Sequence, residues 1–273
     1  MALSRRKRAK ISRGAQYAIL LIVVVVFALT ANWERIGAAF FDLEIAASLF
    51  PDIVSVALVN TLIYTGLGFA LGLALGLVLA LMRLSTVRVY RWIAGAYIEF
   101  FRGLPALLVF LAVGTGVPLA FPGTFFDKYT AVMIALGIVG SAYMAETLRA
   151  GIQAVPKGQV EAARSLGMSP GRTMITIVIP QAFKIILPPL TNELILLTKD
   201  SSLALFLGST AGEYELTQFA RVALNTNPSL TPFVVAGICY LAITIPLSYL
   251  SRYLEKRTGG KKIGTPESTE VSA

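Results

Sequence analysis

Six long apolar stretches alternate with shorter polar ones along the chain, over residues 16–32, 53–82, 92–119, 129–148, 173–197 and 232–254. About 20 residues of helix cross a bilayer, with a lower limit near 17. All six stretches reach that limit, so the pattern predicts an all-α polytopic membrane protein with about six transmembrane helices. The third and fifth are the weakest by hydropathy. Glu99, Arg102, Gly103 and Pro105 interrupt the third, and Pro180, Lys184, Pro188, Pro189, Asn192 and Glu193 the fifth. Segments 33–51 and 120–128 read as loops, and the longer 201–229 segment is expected to form short helices. The chain divides into a basic start with the first span and a loop (1–51), a transmembrane domain (52–257), and a polar tail (258–273). The tail lacks apolar periodicity and is expected to be disordered.

Composition agrees. Of 273 residues, 56% are hydrophobic and 14% charged, and the mean hydropathy is +0.72. Soluble domains carry about 25% charged residues. A net charge of +9 would suggest nucleic acid on a soluble domain. Here the distribution of the charge explains it instead. If the N-terminus is cytoplasmic, all but six of the 24 Lys and Arg fall on the cytoplasmic side, as the positive-inside rule requires. That places both termini and segment 158–172 in the cytoplasm. A signal peptide is the competing reading of the basic start and first apolar stretch. The stretch is long for one and no clean A-x-A site follows, so an uncleaved span is preferred. There is no histidine and one cysteine, Cys239. This excludes an intramolecular disulfide, His-based triads and most zinc or iron sites.

Polar residues inside spans are costly and are often functional. Asn60 sits in the second span. Glu99 and Arg102 share a helical face in the third, and Glu146 and Arg149 repeat that spacing in the fourth. Asn192, Glu193, Lys199 and Asp200 gather toward the outer end of the fifth. Asn60, Glu99, Arg102, Asn192, Glu193 and Lys199 are candidates to line a solute path, whereas Glu146 and Arg149 are read as a structural pair. Gly68, Gly72 and Gly76 form two GxxxG steps, which read as a close helix–helix contact.

Residues 158–182, "GQVEAARSLGMSPGRTMITIVIPQA", are polar at first but helical in composition. Pro156 suits a first helical turn, Glu161 an early position in the helix dipole, and Gly167 a helix end. Ala162 and Ala163 keep the middle narrow, as a helix entering a groove on a partner would need. A helix lying on the membrane surface would have a similar composition.

The residues Glu161-Ala162-Ala163, then Gly167, then Ile177-Val178-Ile179-Pro180 resemble the EAA signature of membrane subunits of binding-protein-dependent ABC importers. Ile179 stands where leucine is commoner. "AYIEFFRGLP", "AYMAETLRAGIQAVPKGQ", "LVNTLIYTGLG" and "PQAFKIILPPLTNELILLTKDSSLA" resemble the polar amino-acid permease branch, so that the resemblance covers roughly residues 58–254. It implies the type I ABC importer fold, with residues 156–168 as the coupling helix. Gly158, Glu161, Ala162, Ala163 and Gly167 would then contact a separate ATPase. The implied partners are a second permease subunit, identical or paralogous, two ATPase subunits, an extracytoplasmic solute-binding protein and the bilayer of a bacterial inner membrane, with no nucleic acid. The chain lacks G-x-x-x-x-G-K-[ST], so ATP and magnesium are expected on the ATPase and no cofactor on this chain. Glutamine or glutamate is the expected substrate, with basic amino acids or cystine next. Arg102 and Lys199 would favour the carboxylate, and Glu99, Glu193 or Asn192 the amine. An ion-coupled secondary amino-acid transporter is the alternative, but it would carry paired repeats around a midplane site, and no repeat is present. A membrane enzyme would need a cluster of catalytic groups that the chain lacks.

Overall fold

The computed structural model describes residues 5–258 and the side chains from residue 13 onward; helices and turns make up this region, with no strand among the described residues. The expected disorder of the tail falls outside it, apart from Thr258. The first apolar stretch becomes α1 (Arg5–Thr30). No side chain from Arg13 to Thr30 is buried. The apolar part of this helix meets the Trp33 ring through Phe27 but buries no side chain against the bundle, and hydrocarbon matches such a surface. The next connection holds α2 (Trp33–Phe40) and α3 (Leu43–Ser48), capped by the side chains of Asn32 and Asp42. Helix α4 (Val59–Leu84) follows a π-helical stretch, Ile53–Leu58.

The third apolar stretch is not one straight span. Helix α5 (Arg88–Gly103) is followed by α6 (Ala106–Leu111), a π-helical stretch (Ala112–Gly116) and α7 (Val117–Ala120). The two halves meet at 106°. Pro105 cannot donate a helical hydrogen bond and forces the residue before it out of the helical region; Leu104 is extended, with φ −92° and ψ 140°. Counting this bent pair as one span, the described residues hold six helical segments long and apolar enough to cross a membrane.

Helix α8 (Lys128–Gln153) is the central element. It leads into the short α9 (Lys157–Ser165), α10 (Pro170–Thr173) and, through a π-helical stretch, α11 (Ile179–Asp200). Two 3-10 turns and α12 (Leu216–Thr226) make up the expected short helices, before α13 (Thr231–Arg257) closes the bundle.

The GxxxG steps are the seam between α4 and α8. A Cβ on Gly72 would lie 3.3 Å from the Gly137 carbonyl oxygen, and one on Gly76 3.1 Å from that of Ser141. Only hydrogen at these positions lets the two backbones meet. The main core, including Tyr64, Phe110, Leu136 and Met144, packs around this seam.

At the end of the bundle far from α9, polar side chains bolt the 204–216 segment down. Asn60 donates to the carbonyls of Gly212 (2.9 Å) and Tyr214 (3.1 Å) and accepts from the Tyr129 hydroxyl (2.8 Å). Lys128 donates to the carbonyls of Ala204 and Leu207 at 2.5 and 2.7 Å. Glu215 caps α12 through the amides of Thr217 and Gln218 and accepts from the Tyr240 hydroxyl. Burial pushes its carboxyl above the usual carboxylate range, and these three donors pull it back.

Gly167 ends α9 with φ +81°. Its amide donates to the Arg164 carbonyl and the Met168 amide to that of Ala163. A β-branched residue is strongly disfavoured at positive φ. Gly167→Val is expected to loosen this end by about 1–2 kcal/mol, seen as faster hydrogen exchange at amides 164–168. Unchanged exchange would show that the turn carries no strain.

Candidate functional site

Three groups of polar residues stand out. The first surrounds a cavity of about 210 Å³ between α8, α11 and the break in the third stretch. Tyr143 of α8 lines it, with Glu193 and Asp200 of α11 and Leu104 and Ala106 from the break. Glu193 and Asp200 are seven residues apart, about two turns, so they share a face of α11. Neither makes an ion pair among the described residues. Arg102 reaches the same region, its guanidinium carbon 5.5 Å from the centroid of the Tyr143 ring. The cavity thus combines two carboxylates, a phenol and a nearby guanidinium.

This geometry redistributes the sequence candidates. Glu193 and Arg102 come together. Glu99 and Arg102 do not pair: α5 ends at Gly103, and Arg102, in its last turn, lies over Tyr143 instead. Glu99, Asn192 and Lys199 are exposed and do not line the cavity. Asn60 is only 4% exposed; its Nδ2 holds the 204–216 segment and its Oδ1 accepts from the Tyr129 hydroxyl, so it has nothing left to offer a solute. Tyr143 was not singled out by sequence; a tyrosine on an apolar helix carries no charge signal. Asp200 was visible, and its spacing from Glu193 is the clue that joins them.

The second group is Glu146, Arg149 and Arg83. Arg149 donates to both carboxylate oxygens of Glu146, the shortest contact being 2.5 Å, and Arg83 of α4 lies 3.9 Å from the same carboxylate. Arg83 turns an i,i+3 pair into a tie between α4 and α8.

The third group is α9. Gly158, Glu161 and Ala162 are exposed along it, but Ala163 is 5% exposed and packs beneath it. Ala163 is therefore covered by its own chain and does not face a partner. Leu166, just past the helix, is 85% exposed.

A helical membrane bundle with a charged internal cavity and a short projecting helix defines a membrane transport component. The model of the binding-protein-dependent transport system inner membrane component matches residues 72–260, and the chain belongs to that family. It is a multi-pass inner-membrane protein and a transport subunit, not an enzyme. The probable glutamine ABC transporter permease protein GlnM of Bacillus subtilis is 40% identical over 198 residues, covering 72% of this chain and 89% of GlnM. The arginine transport system permease protein ArtQ of the same organism is 37% identical, covering 65% of this chain and 80% of ArtQ. A crystal structure described as an amino acid ABC transporter with histidines superposes with a TM-score of 0.71 at 35% identity, covering 79% of this chain and 98% of that one.

Proposed function

We propose that this chain is the permease of an ATP-driven importer of polar amino acids, coupled through α9 to a separate ATPase. The observation that carries the reading is α9 itself. It is a short helix with Gly158, Glu161 and Ala162 outward, a glycine-shaped end, and a short connection through α10 into α11, the helix that bears Glu193 and Asp200. A push on α9 is thereby linked to the charged cavity. ATP and magnesium belong to the ATPase. The working assembly is two permeases, two ATPases and one solute-binding protein, with both termini and α9 in the cytoplasm.

The cavity suits an amino acid by its mixed charge. Glu193 and Asp200 receive ammonium groups, and Arg102 receives the carboxylate. Two carboxylates against one guanidinium fit a neutral or basic amino acid better than an acidic one, so glutamine and arginine, the substrates named for the two relatives, are the first to test. No feature favours the ion-coupled alternative.

Glu161→Lys reverses the exposed charge on α9. Breaking a charge contact at an interface costs about 2–5 kcal/mol. The ATPase should no longer co-purify, or its stimulation by loaded binding protein should fall at least about tenfold. Normal assembly with normal stimulation in this variant contradicts the assignment of α9.

A further inference from the structure

Two cavities adjoin at the end of the molecule that carries α9, and Ile152 and Met174 stand in the walls of both. The first, of about 530 Å³, is almost wholly apolar. Leu77 and Leu81 of α4, Leu148 of α8 and Phe183 of α11 enclose it, with Ser85 at its rim. The second, of about 770 Å³, runs beside α9 and is lined in part by Gln153, Lys157, Glu161 and Arg164. Together they make one groove that is apolar between the membrane helices and charged where those helices end.

The groove is separate from the Tyr143 cavity. Ile152 lies nine residues beyond Tyr143 on α8, two and a half turns, and so points to the opposite side of that helix. The position of the charged section follows from the helix ends: α4 stops at Leu84 and α8 at Gln153. Its cations are Lys157 and Arg164, against the single carboxylate of Glu161. Arg172 and Lys184, both exposed, flank the segment that forms the far wall. Arg164 gives one N–H to the Met168 carbonyl, which leaves the rest of its guanidinium for a ligand. An occupant that matches both sections has an apolar tail and an anionic head joined at the membrane boundary.

We propose that this groove binds an anionic phospholipid of the cytoplasmic leaflet. Its tail lies between α4 and α11, and its phosphate lies on Lys157 and Arg164, tying α9 to the membrane domain. The proposal rests on α9 being the cytoplasmic coupling helix.

The test uses the intact permease–ATPase complex, reconstituted into vesicles of phosphatidylcholine containing phosphatidylglycerol and then re-extracted in mild detergent. Retained lipid is measured by mass spectrometry. Phosphatidylglycerol should be enriched in the wild-type complex. A basic side chain near a membrane surface is worth about fivefold in binding, so K157Q and R164Q should each lower the enrichment by about that factor. I179W fills the apolar section from an exposed position and should displace the lipid with both cations intact. Soluble glycerol phosphate should not compete. The proposal is overturned if the wild-type complex retains its ATPase but shows no enrichment, or if the three variants retain lipid like the wild type. Competition by glycerol phosphate would mean an anion site only. A disulfide between two copies of S85C, in a C239S background, would mean that a second permease covers the groove. Loss of the ATPase from the wild-type peak would instead strike at the coupling reading of α9.

Discussion

Gly76→Leu is expected to yield no stable permease. At this position even a Cβ would sit 3.0 Å from the Met144 Cβ, 3.1 Å from the Ser141 carbonyl oxygen and 3.2 Å from the Ala145 amide nitrogen. Two of these neighbours are backbone, so no side-chain rotation relieves the clash. Overpacking a well-fitted core by a few methylenes costs about 1–3 kcal/mol, and leucine adds a whole side chain against a rigid helix. The seam would part and the core around Tyr64 and Leu136 with it. The measurement is the monodisperse fraction and thermal midpoint of the detergent-solubilised protein. Gly66→Leu is the control, because a Cβ there has nothing within 4 Å. Equal behaviour of the two variants contradicts the seam.

The second large effect belongs to the charged cavity. Glu193→Gln combined with Asp200→Asn keeps size and shape but removes both negative charges. Each charge-assisted hydrogen bond lost is worth about 1.5–3 kcal/mol, so uptake should fall at least about a hundredfold. Co-purification of the ATPase should not change, since both residues lie on α11, away from α9. Arg102→Ala should also reduce uptake while leaving assembly intact. Full uptake in the double variant would remove the cavity from the solute path.

The spans and the short polar helix were legible because each depends on local periodicity or composition. The 16–32 stretch is helix because its apolar run allows little else, and Gly167 marks the end of α9 because a left-handed residue is needed there. What was not legible depends on which elements meet. Gly103 and Pro105 announced an interruption, but not that the halves would meet at 106°. Asn60 looked like a polar residue offered to a solute, until Gly212, Tyr214 and Tyr129 took its amide. Glu99 and Arg102 had the right spacing to pair, but Arg102 found Tyr143, 41 positions further along. Ala162 and Ala163 were indistinguishable as letters, and only packing turns one out and the other in.

The most direct test is uptake into vesicles containing the permease with its ATPase and solute-binding protein. Labelled glutamine and labelled arginine are offered separately, with ATP inside or absent and with ion gradients imposed or collapsed. The account predicts uptake of at least one of them that needs ATP and binding protein, is lost in Glu161→Lys, and ignores the ion gradient. Uptake that follows the ion gradient without ATP would contradict it.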